Sequence, residues 1–264
     1  MNFAVFHMDG AENTATLVSD YLRSKQCSVD IFNINHDSYS VDCDIVVAIG
    51  GDGTVLRAAK LASRFNKPII GINCGHFGYL AELEPSEIDL FDNILSGNYK
   101  IEHRKMIRVT LESSNKHYIA LNDAVIQRTP ASSVVDITVS SRNSPFYNIK
   151  ADGIIISTPT GSTAYSMSAG GPIVDPSVDG IIVTPICAHT LFDRPIVLNG
   201  KNELKITAKP RNLGEKVYLT VDGETGIELD DSETVGICVD REHTADFIKI
   251  KNGSFYSILR NKMI

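Results

Sequence analysis

Asp52 stands inside a glycine turn, Gly50-Gly51-Asp52-Gly53-Thr54, directly after the apolar run Val46-Val47-Ala48-Ile49. The run reads as a buried parallel strand. Glycines just past such a strand let backbone N–H groups approach a phosphate. A carboxylate in an anion-friendly turn has to bind a metal, orient a hydroxyl or take a proton. The turn lacks the Lys-Ser/Thr pair of a Walker A loop, and no third glycine follows at the spacing of Gly-x-Gly-x-x-Gly. The plain alternative is a glycine turn whose Asp caps the following helix.

A second group of small polar residues follows the apolar stretch Ile154-Ile155-Ile156. It reads Thr158-Pro159-Thr160-Gly161-Ser162-Thr163-Ala164-Tyr165-Ser166-Met167-Ser168. Hydroxyls and glycine offer many donors with little bulk, which suits a nucleotide, and Tyr165 could stack on a base or reach a ribose. The alternative is a hydroxyl-rich surface loop. Between the two groups lies Asn122-Asp123, after Ile119-Ala120-Leu121. By itself this pair is turn chemistry. Asp222-Gly223 reads as a hairpin turn, and Asp230-Asp231 as a solvated one.

The elements that must carry these residues change character along the chain. Up to about residue 100, strand and helix signals alternate. Strands are expected at Phe3–Phe6, Val29–Phe32, Ile45–Ile49 and Pro68–Ile72, and helices at Glu12–Ser24, Thr54–Phe65 and Glu84–Leu95. This is the pattern of a doubly wound parallel sheet, whose ligands bind beyond the carboxyl ends of the strands. Beyond residue 100, short alternating segments separated by turns point to an antiparallel, mostly β domain. They are 107–111, 117–121, 134–140, 153–157, 203–208, 216–221 and 233–239. The expected division is therefore an α/β domain over 1–100 and a β-rich domain over 101–246, with 247–264 returning as a strand to the first.

With 264 residues and 43% hydrophobic content, the chain can bury sizeable cores. A net charge of −7 without a long basic run excludes nucleic acid as a general partner. Five scattered cysteines, Cys27, Cys43, Cys74, Cys187 and Cys238, form no Cys-x-x-Cys pair. They read as free thiols of a reducing compartment, with no zinc cage. No signal peptide and no membrane span are expected, so the reading is cytoplasmic.

Taken in order, the Gly50–Thr54 turn, Asn122-Asp123 and the Thr158–Tyr165 run resemble the NAD kinase family. Asn73-Cys74-Gly75-His76-Phe77-Gly78-Tyr79-Leu80 is similar to its second glycine turn, and His189-Thr190-Leu191 with Arg194-Pro195 to a later segment. The likeness spans nearly the whole chain. It implies a Rossmann-like N-terminal domain and a β-rich C-terminal domain, in homodimers or homotetramers. It implies phosphorylation of NAD by ATP at the 2′-hydroxyl of the adenosine ribose, giving NADP, with a divalent ion such as Mg²⁺ arriving on ATP and no dedicated metal ligands identified. It further implies Asp52 as base, and Gly53 and Arg57 near the dinucleotide. Asn122 and Asp123 correspond to the adenosine contacts, and Lys150 and Asp152 to residues near the nicotinamide end. Thr163, Ala164, Tyr165, Ser166, Met167 and Ser168 correspond to the adenine side. Met167, Phe77 and Tyr79 depart mildly from the usual residues, and the chain has the form of the compact bacterial enzymes.

Backbone N–H groups of Gly51, Gly53 and Thr54 are the expected phosphate donors, in a turn that begins at Gly50. Rival readings fit less well. A lipid or sugar kinase sharing the turn leaves the Tyr165 segment without a use. A non-catalytic dinucleotide sensor leaves Asp52 without one. A dehydrogenase needs Gly-x-Gly-x-x-Gly after the first strand, where Met8-Asp9-Gly10 stands.

Overall fold

The computed structural model describes all residues except 36–41, 76–77, 131, 143, 190–193, 225, 252, 254, 257–258 and 261–264. Among the sequence motifs, His76, Phe77, Thr190 and Leu191 lie outside the described residues. The chain packs as two units, Met1–Arg104 with His243–Ile264, and Lys105–Glu242.

The first unit alternates β1 (Asn2–His7), α1 (Glu12–Ser24), β2 (Ser28–Asn33), β3 (Ile45–Gly50), α2 (Asp52–Arg64) and β4 (Ile69–Asn73). The strands form a parallel sheet in the order β2-β1-β3-β4. β3 and β4 are buried along their whole length, as central strands covered on both faces must be. α1 turns Ala15, Val18 and Leu22 onto the sheet, and α2 buries Val55, Leu56, Ala58, Ala59 and Ala62. The single helix expected over Glu84–Leu95 is instead a 3₁₀ segment, Pro85–Leu90, followed by α3 (Phe91–Leu95). Glu87 leaves helical geometry, with φ −113° and ψ 23°, which breaks the run, while its carboxylate caps the start of the segment by accepting the Glu84 N–H at 2.8 Å.

A long strand, β5 (Lys100–Leu111), opens the β-rich part. It is followed by β6 (Lys116–Ala120), β7 (Asp123–Arg128), β8 (Val135–Ser141), β9 (Ser144–Ala151) and β10 (Gly153–Ser157). A 3₁₀ turn at Thr160–Thr163 leads to α4 (Tyr165–Ser168). Then come β11 (Gly180–Ile186), β12 (Ile196–Asn199), β13 (Leu204–Pro210), β14 (Val217–Val221), β15 (Ile227–Leu229) and β16 (Val235–Lys249). One sheet of the second unit runs β12-β11-β10-β7-β14-β15, antiparallel throughout. β8, β9, β13 and the first part of β16 pair antiparallel in another. Alternate residues of both sheets, among them Ile126, Ile137, Ile154, Ile156, Ile206, Leu219 and Ile237, share one core.

β16 corrects the sequence reading. Separate segments were expected there, 233–239 and a final one from 247, with Asp240-Arg241-Glu242-His243-Thr244 left between them. The strand runs through this stretch unbroken. Asp240 is buried, and Arg108 reaches it at 3.0 Å and the exposed Glu242 at 2.6 Å, so the acidic residue drawn into the sheet is neutralised there. At its far end Phe247 sits beside Ile69 of β4 in the first unit.

Candidate active site

Gly51, in extended conformation, is the N-cap of α2, and Asp52 is the first helical residue. The Asp52 side chain does not cap its own helix, which removes the plain alternative. Oδ2 accepts the Tyr79 N–H at 2.9 Å and Oδ1 accepts the Leu80 N–H at 3.1 Å. A carboxylate offers about four lone-pair sites, so each oxygen can take a further donor while the group stays pinned. Gly78 makes this possible: a Cβ there would lie 2.2 Å from Asp52 Oδ1. Burial, and after it the Asp52 charge, pushes the Tyr79 phenol up from its ordinary value.

The glycine turn differs from the expected phosphate cradle in one respect. The Thr54 N–H is donated to the Gly51 carbonyl at 3.0 Å, and the Val55 N–H to the same oxygen at 3.1 Å. Thr54 itself is buried. Its amide is therefore committed to the turn, which leaves Gly51 and exposed Gly53 as the amides of the expected three still at the helix mouth.

Arg57, one turn further along α2, donates to Asn35 Oδ1 at 2.9 Å and to the Ile34 carbonyl at 3.2 Å. Asn35 and Asn33 in turn donate to Asp9 at 2.9 and 2.6 Å. The turn after β1 is thus an acidic anchor for side-chain amides and not a glycine cradle.

In the second unit the hydroxyl-rich run is mostly self-satisfied. Thr158 Oγ1 donates to the Leu121 carbonyl at 2.5 Å and accepts the Gly161 N–H at 3.0 Å. The Thr158 N–H reaches the Asn122 carbonyl at 2.9 Å. Ser162 Oγ bonds Pro159 O and Val174 N at 2.6 and 3.0 Å, and Thr163 Oγ1 donates to Thr160 O at 3.3 Å. These hydroxyls hold a tight backbone together, so the expectation of a loop dense in free donors is corrected. Ser166 is fully buried with its hydroxyl 2.9 Å from Thr184 Oγ1, so it supports the segment from behind and is not at a ligand surface. Tyr165, Met167 and Ser168 are exposed.

Asn122-Asp123 and Ala164-Tyr165 come together. With Val125, Gln127, Thr220, Asp222 and Gly223 they line a cavity of about 460 Å³. Asp222 organises it. Its Oδ2 accepts the Leu121 N–H at 2.9 Å, and its Oδ1 accepts those of Asn122 and Asp123 at 2.8 and 3.1 Å. Asp222 and Gly223 both have φ in the left-handed region, 52° and 71°, and the Glu224 N–H closes on the Val221 carbonyl at 3.1 Å. That is a primed hairpin turn, as Asp-Gly dictates. Asp123 is buried, and among the described residues no donor reaches its carboxylate. Burial first, and the charge of Asp222 second, push its pKa up to about 7.

The structure does not bring Lys150 and Asp152 to this cavity. Lys150 is exposed on β9, with its carbonyl accepting the His189 N–H at 2.8 Å. Asp152 is paired with Arg128 at 2.7 Å, which holds the guanidinium charged. All five cysteines are free. Sequence reading missed the organising role of Asp222, for which the Asp-Gly dipeptide was the available signal. It also missed Tyr79 and Leu80 as donors to Asp52, for which there was none, since the bonds are backbone bonds.

Models of the ATP-NAD kinase N-terminal and C-terminal domains match residues 11–99 and 121–250. An NAD kinase of Moorella thermoacetica is 42% identical over 221 residues, covering 83% of this chain and 70% of that protein. One of Carboxydothermus hydrogenoformans is 39% identical over 252 residues, covering 94% and 88%. The crystal structure of an NAD kinase from Archaeoglobus fulgidus in complex with ATP matches 99% of this chain and 98% of that one, with TM-score 0.81 and 25% identity. Yeast NADH kinase complexed with NADH shares the fold, with TM-score 0.83 over 98% of this chain and 85% of that one, at 23% identity. Two domain models falling in order along the sequence, with relatives this similar over most of its length, mean that the chain belongs to the ATP-NAD kinase family.

Proposed function

We infer that this protein transfers the γ-phosphoryl group of ATP to NAD and releases NADP and ADP. Within that reaction Asp52 accepts a hydrogen bond from the 2′-hydroxyl of the adenosine ribose. It takes the proton as the new O–P bond forms and the bond from the γ-phosphorus to ADP breaks. The observation that carries this is the Asp52 carboxylate: it leads a helix behind a glycine turn, is fixed by two backbone N–H groups, and keeps acceptor capacity on both oxygens. A loose phosphoryl-transfer transition state demands alignment and charge neutralisation above all. The amides of Gly51 and Gly53 at the positive end of α2 serve the donor phosphates.

Mg²⁺ enters as part of the nucleotide substrate. The acidic residues of β16 are not a resident metal site, since Arg108 already bridges Asp240 and Glu242. Tyr165 is exposed at the rim of the cavity that holds Asn122 and Asp123, a placement that supports a role in stacking on the adenine. Gly53 and Arg57 contribute on the dinucleotide side, and Lys150 and Asp152 act at the nicotinamide end. The enzyme works as a homodimer or homotetramer in the cytoplasm. Among the described residues no helix is long and apolar enough to cross a membrane.

The test is NADP formation from NAD, ATP and Mg²⁺ by the wild type and by Asp52→Asn. The substitution keeps shape and removes basicity. Turnover falls by about a hundredfold or more while NAD still binds. Wild-type turnover in that variant removes Asp52 from the role. NADH and polyphosphate, run beside NAD and ATP, define the substrate range.

A further inference from the structure

The segment that holds Asp52 has little regular structure of its own. Between Asn73 and Pro85 its one strand-like contact among the described residues is the isolated bridge of Leu83 with Ile72. Tyr79 and Leu80 donate to Asp52, and the Glu82 and Leu83 N–H groups both donate to the Gly71 carbonyl, at 2.9 and 3.1 Å. What fixes this stretch from its other side is the Glu82 side chain. Its Oε1 accepts the N–H groups of Ile250 and Lys251 at 2.9 and 2.8 Å, and its Oε2 accepts the Lys249 ammonium at 2.9 Å. The pair is largely removed from water, with side chains 8% and 16% exposed.

The N–H groups in question are those just past the end of β16. Glu82 therefore does for the end of this strand what a capping side chain does for a helix. Buried and satisfied on both oxygens, it is a strong, directional lock.

We propose that Glu82 is a positioning residue for phosphoryl transfer: by clamping residues 249–251 it fixes the short segment whose Tyr79 and Leu80 N–H groups aim the Asp52 carboxylate. Glu82 touches no reacting atom. A single residue, Ala81, separates it from Leu80, and loss of the clamp lets the donors, and with them the carboxylate, move by the fraction of an ångström to which phosphoryl transfer is sensitive. The proposal rests on the reading of Asp52 as base.

Two double variants separate aim from folding. Glu82→Gln with Lys249→Met keeps an oxygen for the Ile250 and Lys251 N–H groups and leaves no buried ion unpaired. Glu82→Met with Lys249→Met keeps the volume and removes the acceptor. The measurement is kcat and KM for NAD and ATP, per active site titrated, well below the unfolding temperature of each variant. The Met/Met variant loses about tenfold or more in kcat with both KM values within about threefold, and the Gln/Met variant recovers to within about threefold of wild type. Equal kcat in the two variants, or a change confined to KM, overturns the proposal. Asp52→Asn is assayed in parallel: wild-type turnover there overturns the base assignment itself, whereas low turnover there with equal double variants overturns only the clamp. If neither double variant folds, amide hydrogen exchange of the wild type decides. The Leu80 and Ile250 amides open in concert if the clamp couples them, and protection differing by about a hundredfold or more overturns it.

Discussion

Gly161 and Asn122 are in direct backbone contact: a Cβ on Gly161 would lie 2.1 Å from the Asn122 carbonyl oxygen and 2.7 Å from its Cα. Backbone cannot yield as a side-chain tip can. Gly161→Ala thus separates the two motifs and strains the Thr158 N–H bond to that same carbonyl. The expected cost is about 1–3 kcal/mol, read as a lower urea midpoint with an unchanged slope.

Gly78→Ala has a different signature. The atom in its way is Asp52 Oδ1, the end of a flexible side chain. The carboxylate swings aside without moving backbone, but it loses its two N–H donors, at a stability cost of about 1–3 kcal/mol. Steady-state kinetics of the fully folded variant should show kcat reduced by about tenfold or more, a loss that Gly161→Ala does not share.

Asp123 makes stability depend on pH with an unusual sign. Its folded-state pKa of about 7 lies above the ordinary aspartate value of 3.8, so the native state binds the proton more tightly than the unfolded chain. Stability from this group is present at low pH and is lost as pH rises through about 7, a change on the order of 4 kcal/mol. Asp123→Asn removes the dependence. Urea unfolding of both proteins at pH 5 and pH 8 should show the variant gaining relative to wild type at the higher pH. A constant difference would mean that Asp123 titrates normally.

Ser166 and Tyr165 are adjacent in sequence and opposite in role. Ser166→Ala removes the buried bond to Thr184, costs about 1 kcal/mol of stability and leaves KM for NAD unchanged. Tyr165→Ala leaves stability within about 0.5 kcal/mol, since the ring is exposed, and raises KM for NAD by about tenfold through lost stacking.

The α/β character of the first hundred residues was legible because periodicity and burial coincide there. α1 occupies Glu12–Ser24 as its apolar spacing required, and β10 occupies Gly153–Ser157. Reading failed where polar residues are satisfied by distant partners. The polar middle of β16 looks like a break until Arg108 is set against Asp240. The hydroxyls of Thr158 and Ser162 look like ligand donors until the Leu121 and Val174 backbones are set against them. Asp52 was recognisable as a misplaced carboxylate, but what holds it was not. Its partners are main-chain amides of Tyr79 and Leu80, groups every sequence contains everywhere. Asp222 was readable as a turn former and unreadable as the anchor of residues 121–123, about a hundred positions away.

The unit that carries Asp52 is closed by both ends of the chain, whereas residues 105–242 form an uninterrupted stretch. During synthesis the later-coded unit is therefore complete before the earlier one. Ile69 must wait for Phe247, and Glu82 for residues 249–251, until those residues have left the ribosome. A nascent chain stalled before that point carries an unfinished sheet edge on the half that was translated first.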